Sequence, residues 1–327
     1  VFMILLIAIV LILFLLFLKE GIPCIMYHGV GSESNLSAEE FEKQIKQIKN
    51  MNTYKFEEIE KFNYLIPKKS ILLTFDDGYK SNYTNAYPIL KKYNKKATIF
   101  LNTAYVGIDD DYLTWDQILE MYGSGLVDFQ LHSHSHFSVV NKLEVESFFS
   151  NEDFKKKELY REIKNIYRRE PRIGYPIFKR KGELAVFGYK LTDKFIDDYD
   201  KIIDKNIILT EEIVKGSLLN EIVAYSSEEY ENRVFCEINK NKEIIDKKIG
   251  RETLNFANPW GHKSPELLDE LKKLGIKSMI TTKKGTNSRK LNPYKIKRYE
   301  TNSAIKFRVL FLINKSFFLG KIYEVLS

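Results

Sequence analysis

"ILLTFDDGYKSNY", residues 71–83, decides how the rest of the chain is read. The run Ile71 to Phe75 is apolar but for Thr74 and ends abruptly on two adjacent carboxylates, Asp76 and Asp77, followed by Gly78. A short continuous apolar run predicts a strand covered on both faces, as in a parallel sheet. Neighbouring carboxylates repel each other and are costly to desolvate. A core strand that ends on them therefore calls for an offsetting positive charge. "HSHSH", residues 132–136, holds three of the chain's five histidines and supplies a first part of the answer.

Outward from this strand, apolar segments alternate with amphipathic ones. "PCIMYHGV" (23–30), "KATIFLN" (96–102), "LVDFQ" (126–130), "LNFAN" (254–258) and "KSMITT" (277–282) read as strands. Between them lie helical patterns: 37–51, opened by a Ser37/Glu40 capping box; 81–94; 114–125, capped by Thr114; 227–250, ending on Gly250; and 264–275, with Ser264 as cap and Pro265 at the first helical position. Strands alternating with helices predict βα units around a parallel sheet or barrel. The rhythm is lost over about 140–225, where "REPRIGYPIFKRKGELAVFGYK" is charged and aromatic. That segment is expected to be an insertion or lid on the barrel, within one domain spanning 21–327.

The bulk composition narrows the class. The 327 residues are 44% hydrophobic and 29% charged, which is ordinary for a globular chain. A net charge of +7 suits an acidic partner or an anionic surface. The lysines, however, alternate with glutamates, as in "EKQIKQIKN", and form no basic stripe with aromatics, which argues against a nucleic-acid partner. Cys24 and Cys236 each sit in an apolar local pattern and are expected to be buried. The opening stretch, "VFMILLIAIVLILFLLFL", is 18 uncharged residues, and as a helix it reaches about 27 Å, close to the hydrocarbon thickness of a bilayer. Residues 1–20 read as an uncleaved signal anchor, placing the chain in the cell membrane as a single-pass protein with its catalytic domain outside the cytoplasm. "FRVLFLINKSFFLGKIY", 307–323, is broken by Asn314, Lys315 and Lys321, and reads as a packed or membrane-surface helix.

In parallel βα architectures the C-terminal strand ends line the active site. His28, Asp76 with Asp77, His132 to His136, and Asn258 to His262 all follow predicted strands. The spacing i, i+4 puts His132 and His136 on one side if 132–136 forms a helical turn, a workable pair of metal ligands. A carboxylate from 76–77 completes a two-His, one-Asp set that leaves positions open for water and substrate. The cation offsets the repulsion, and the second Asp stays ionised beside it to act as a base.

"LLTFDDGYKSNYTNAYPILKKYNKKATIFLN" resembles the first motif and following βα unit of the polysaccharide deacetylases (carbohydrate esterase family 4, the NodB-homology domain). The family reads T-F-D-D-G and then H-[S/T]-x-x-H, as His132-Ser133-x-x-His136 does here. "NFANPWGHKSPELLDELKKLGIKSMITT" is similar to its later P-[Y/W]-G segment. The resemblance covers about 22–136 and 226–300, and implies a distorted (β/α) barrel of about seven strands. It implies Asp77, His132 and His136 as ligands to zinc or another divalent cation, Asp76 as general base, and the backbone beside Trp260 as oxyanion donor. Trp260 is equally open to a sugar-stacking or a core role. The family's late L-x-x-H histidine has no counterpart after His262. "IMYH", 25–28, has that form at the opposite end, resembling the branch of poly-N-acetylglucosamine deacetylases, and makes His28 the candidate general acid, with His262 as second choice. The family arginine that holds the base is missing before "NPWG"; Arg172, Arg180 and Arg298 are the replacements considered, with Arg180 of the insertion as the guess. The implied activity is metal-dependent removal of N-acetyl groups from amino sugars of an extracellular or envelope polysaccharide. The alternatives are a deacylase of a lipid-linked sugar and a glycan-binding pseudoenzyme.

Overall fold

The computed structural model describes residues 19–31, 34–205, 207, 210–261 and 264–327. The expected anchor over 1–20 thus lies outside the described residues except for Lys19 and Glu20. Among the described residues no helix is long and apolar enough to cross a membrane. The chain divides into two compact units. The first takes in the described residues up to Ser135 with Glu237–Gly261 and Leu271–Ser327, and the second takes in the described residues of His136–Cys236 and His262–Glu270.

The first unit opens with strands β1 (Cys24–Tyr27), β2 (Asn52–Thr53), β3 (Ser70–Phe75), β4 (Ala97–Leu101) and β5 (Val127–Leu131). The second unit carries β6 (Ser138–Phe148), β7 (Pro176–Gly182), β8 (Tyr189–Leu191) and β9 (Ile222–Ala224), after which β10 (Asn255–Ala257), β11 (Ser278–Ile280) and β12 (Tyr299–Glu300) complete the first. The first unit's strands form one parallel sheet in the order β11-β10-β5-β4-β3-β1-β12, with β2 pairing the lower half of β3. The path curls until its ends approach: Ile296, just before β12, makes a parallel bridge to Ile280 of β11. The result is a distorted βα barrel with seven strands on its path, as the resemblance implied. All six residues of β3 are buried, which is why it shows no polar alternation. Ile22, Phe56, Leu72, Phe100 and Ile280 pack together in the unit's core.

The second unit is a four-stranded antiparallel sheet in the order β7-β6-β8-β9, with its own aromatic core. Tyr167 and Tyr175 stack there with ring centroids 4.0 Å apart. Arg169 and Arg172 share Asp200, at 3.1 and 2.8 Å. This is the segment expected to be an insertion over 140–225.

Three local expectations are corrected. The helix over 81–94 opens as a π-helix, Asn82–Ala86, and turns α-helical only at Tyr87. Ser37 caps helix Ala38–Gln47, but Glu40 closes no capping box; its carboxylate accepts instead from the Ala304 N–H at 2.7 Å. Cys24 is buried as expected, whereas Cys236 is exposed, because its helix Ser227–Ile249 turns that face outward.

Candidate active site

Because the strands run parallel, their C-terminal ends lie at one end of the barrel. The register Tyr27↔Phe75 sets His28 beside Asp76, and Leu101↔Leu131 sets Asn102 beside His132. The Asp76 N–H donates to the Tyr27 carbonyl at 2.9 Å, so the ladder continues into the carboxylate pair. Asp77 and Gly78 then both take left-handed backbone, at φ 73° and 82°. A Cβ on Gly78 would meet Leu101 Cδ2 at 2.6 Å, so the turn needs glycine there. The turn points two consecutive carboxylates in different directions.

Asp76 faces Arg298. The completely buried guanidinium grips both oxygens, Nη1 to Oδ1 at 2.7 Å and Nη2 to Oδ2 at 2.8 Å, and is itself fixed by Thr74 Oγ1 and the Thr281 carbonyl. Burial pushes the Asp76 carboxyl up, but Arg298 outweighs it, and with His132 and His28 nearby holds the group at about 2. Arg298 was one of three arginines considered, and the guess of Arg180 is corrected. Arg180 pairs with Glu162 in the second unit, and Arg172 with Asp200 and Asp204.

Asp77, His132 and His136 each offer one ligand atom, and these atoms lie within 4.8 Å of one another. They do so without the helical turn that the spacing suggested. Residues 132–136 form an irregular loop in which Ser133 and His136 have φ of 75° and 54°. His134, set aside on the assumption of a regular turn, meets Thr103 Oγ1 through Nδ1 at 2.9 Å. His132 Nδ1 lies 2.9 Å from the Ala257 carbonyl, which accepts only a proton donor. That bond leaves Nε2 as the ring's lone-pair nitrogen, 3.5 Å from Asp77 Oδ1. Asp77 Oδ1 also accepts from Asn102 Nδ2 at 3.0 Å. An oxygen, a nitrogen with a fixed tautomer and a second histidine make a donor set that fits zinc or another divalent cation.

Around these residues sits a shell that sequence reasoning missed. Helix Ser227–Ile249 presents Glu237 and Asn241, one turn apart, to the histidine loop. Asn241 accepts from the His132 N–H at 3.1 Å and donates to the Leu101 carbonyl and Thr103 Oγ1. Glu237 Oε2 accepts both the N–H and hydroxyl of Ser135, each at 2.8 Å. Glu300 was missed as well; its carboxylate lies 3.5 Å from His28 Nδ1. Burial lowers the His28 pKa, but the Glu300 hydrogen bond and the charges of Asp77, Asp76 and Glu300 outweigh it and raise the group to about 9. The available signal was "RYE", 298–300, two charged residues flanking a buried tyrosine on a closing strand.

A cavity of about 290 Å³ opens beside His28, lined among others by Tyr79, Glu300, Asn302 and Lys306. Trp260 is 40% exposed and left-handed at φ 51°, which removes the core reading for its ring. Gly261 beside it is obligatory, since a Cβ there would overlap Thr282. His262, the second choice for an acid, lies outside the described residues.

The chain is also similar to known proteins. The sequence profile of the family described as polysaccharide deacetylase matches residues 65–173. A poly-beta-1,6-N-acetyl-D-glucosamine N-deacetylase of Staphylococcus aureus (strain MRSA252) is 31% identical over 186 residues, covering 50% of this chain and 63% of the relative. The chain thus spans somewhat under two thirds of that relative's length. Among solved structures, the Streptococcus pyogenes deacetylase PplD in complex with acetate aligns with a TM-score of 0.55 at 20% identity, covering 89% of this chain and 98% of that one. IcaB from Ammonifex degensii aligns at 0.56 and 19% identity, covering 91% and 98%. The two structures speak for the shared fold, and the sequence matches, each over part of the chain, make it similar to the polysaccharide deacetylase family.

Proposed function

We propose that this chain is a metal-dependent hydrolase that removes N-acetyl groups from amino sugars of an extracellular or envelope polysaccharide. The observation that carries this reading is the division of labour between the adjacent carboxylates. Asp76 is held ionised by a buried arginine, and Asp77 turns away to join two histidines.

In this reading Asp77, His132 and His136 hold zinc or another divalent cation, which when bound polarises the acyl carbonyl as a Lewis acid. Asp76 accepts a proton from the attacking water. Its Arg298 clamp keeps the carboxylate ionised and aimed, at the cost of low basicity. The water oxygen bonds to the acyl carbon, the C–N bond breaks, and acetate and a free amine leave. His28, kept protonated by Glu300, gives its proton to the departing nitrogen. The backbone N–H at Trp260 serves the developing oxyanion, and the exposed indole offers a face to a sugar ring. The N-acetylglucosamine polymer named for the staphylococcal relative is the first substrate to try. The apolar stretch 1–18 supports a place at the cell membrane, with the catalytic residues on the outer side.

The test is acetate release from N-acetylglucosamine oligomers by the purified chain, with chelator and then with added zinc. Release that chelation abolishes and zinc restores is expected. Stoichiometric metal without release from any oligomer would overturn the substrate assignment and favour the lipid-linked alternative.

A further inference from the structure

The last two helices, Ala304–Lys315 and Phe317–Leu326, expose more apolar surface than their packing requires. Phe307, Leu310, Phe311 and Asn314 face inward. The outward face of the first helix carries Ile305, Val309 and Leu312, at 80%, 51% and 57% exposure, and the second adds Ile322, Val325 and Leu326. These six account for more than a third of the 17 large hydrophobic residues exposed among the described residues, within 22 positions of sequence. Single exposed hydrophobics are normal; a cluster marks an interaction surface.

The exposed charges of the first of these helices have one sign. Helix 304–315 exposes Lys306, Arg308 and Lys315 between its apolar residues and contains no acidic residue. Alternating apolar and cationic side chains on an outward helix face suit an anionic lipid surface, where the alkyl chains enter the interface and the cations meet headgroups. The position of the face adds a second argument. The Lys19 carbonyl accepts from the Phe317 N–H at 2.9 Å, the Gly21 N–H donates to the Lys315 carbonyl at 2.8 Å, and Lys19 Nζ lies 4.4 Å over the Phe317 ring. The described chain thus begins, at Lys19, against the joint between these two helices, and 18 apolar residues precede it in the sequence.

We infer that the outward face of helices 304–315 and 317–326 lies on an anionic lipid surface. The inference rests on the proposed membrane location. Lys306 also lines the cavity beside His28, so this docking would hold the catalytic cleft close to the lipid.

The experiment uses the full chain in vesicles of phosphatidylcholine and phosphatidylglycerol. Cys236→Ser removes the exposed thiol, and buried Cys24, whose thiol burial raises to about 12, stays unlabelled. Single cysteines at Val309→Cys and Val325→Cys carry a fluorescent label, and Ile108→Cys, at a position 81% exposed, is the control. Acyl chains brominated near the headgroup should quench labels at 309 and 325 but not at 108. Arg308→Glu with Lys315→Glu should reduce that quenching while leaving acetate release from soluble oligomers unchanged. A chain that floats with vesicles while label 309 is quenched no more than label 108 overturns the docking face and leaves the anchor standing. A chain that does not float overturns both. Protection of label 309 without lipid, rising with protein concentration, assigns the face to a second copy and also overturns the inference.

Discussion

At the scale of single residues, the roles proposed for the two aspartates of "FDDG" are separable. Asp77→Ala, His132→Ala and His136→Ala should each lower bound metal and turnover together, read by elemental analysis alongside acetate release. Asp76→Asn should keep its metal and lose about 10²–10⁴-fold in turnover, the span of a general base; near-full activity in that variant would remove the base assignment. Arg298→Met leaves a buried carboxylate unpaired and should cost about 3–5 kcal/mol in a denaturant titration. The same variant tests the pH linkage. Asp76 folds with its carboxyl held at about 2, below its unfolded value, so its contribution to stability is present above about pH 4 and lost as pH falls towards 2. Without Arg298 the acid limb of stability should flatten, and the acid limb of kcat/KM should move to higher pH. His28 runs the other way. Raised to about 9, it is in its acid form below that pH. Activity should therefore decline on the alkaline side, at or below 9 once a bound cation adds its charge, and Glu300→Gln should move that limb to lower pH. The aspartates and histidines were visible as motif residues. Glu300 and the choice of Arg298 were not, because a salt-bridge partner more than 200 positions away leaves no local pattern.

At the scale of elements, the site is held by parts whose own sequences do not advertise it. The π-helix Asn82–Ala86 follows the carboxylate turn, and the side chain of Asn82 donates to the His28 carbonyl at 2.7 Å, while Asn85 reaches the Val30 carbonyl at 2.5 Å. The wider turn sets two asparagines against the loop after β1, and π-turns recur at functional sites. The amphipathic pattern of 81–94 showed a helix; the change of pitch depends on contacts with β1's loop, which hydrophobic periodicity does not record. Helix Ser227–Ile249 has a comparable hidden role through Glu237 and Asn241. Asn241→Ala should leave the chain folded and weaken metal binding by about 10–100-fold, as loss of an outer partner does, measurable by chelator competition. Unchanged affinity would make Asn241 a packing residue only. The histidine loop shows the converse: i, i+4 spacing brought His132 and His136 to notice through a helix they do not form. Left-handed Ser133 and His136 deliver the same convergence by another backbone route.

At the scale of the whole molecule, the proposed metal site links ion binding to folding. A cation that binds the folded chain alone should raise stability by about 2.7 kcal/mol at a hundredfold excess over its Kd, seen as a higher Tm with zinc that chelation reverses; an unchanged Tm would show that the three ligand residues hold no ion. What the sequence determined by itself was the βα rhythm, the apolar strands covered on both faces, and the location of polar groups at strand ends. These follow from short-range periodicity and from the rule that parallel strands share one end. Tertiary structure alone decided which arginine grips Asp76, how the histidines converge, and which carboxylate tunes His28. It also decided that residues 136–236 build a unit with its own sheet and core, in a segment whose pattern looked only irregular. Each of these depends on pairings between distant segments, where the free energy lies in desolvated charges and side-chain packing that a linear pattern of apolar and polar residues does not encode.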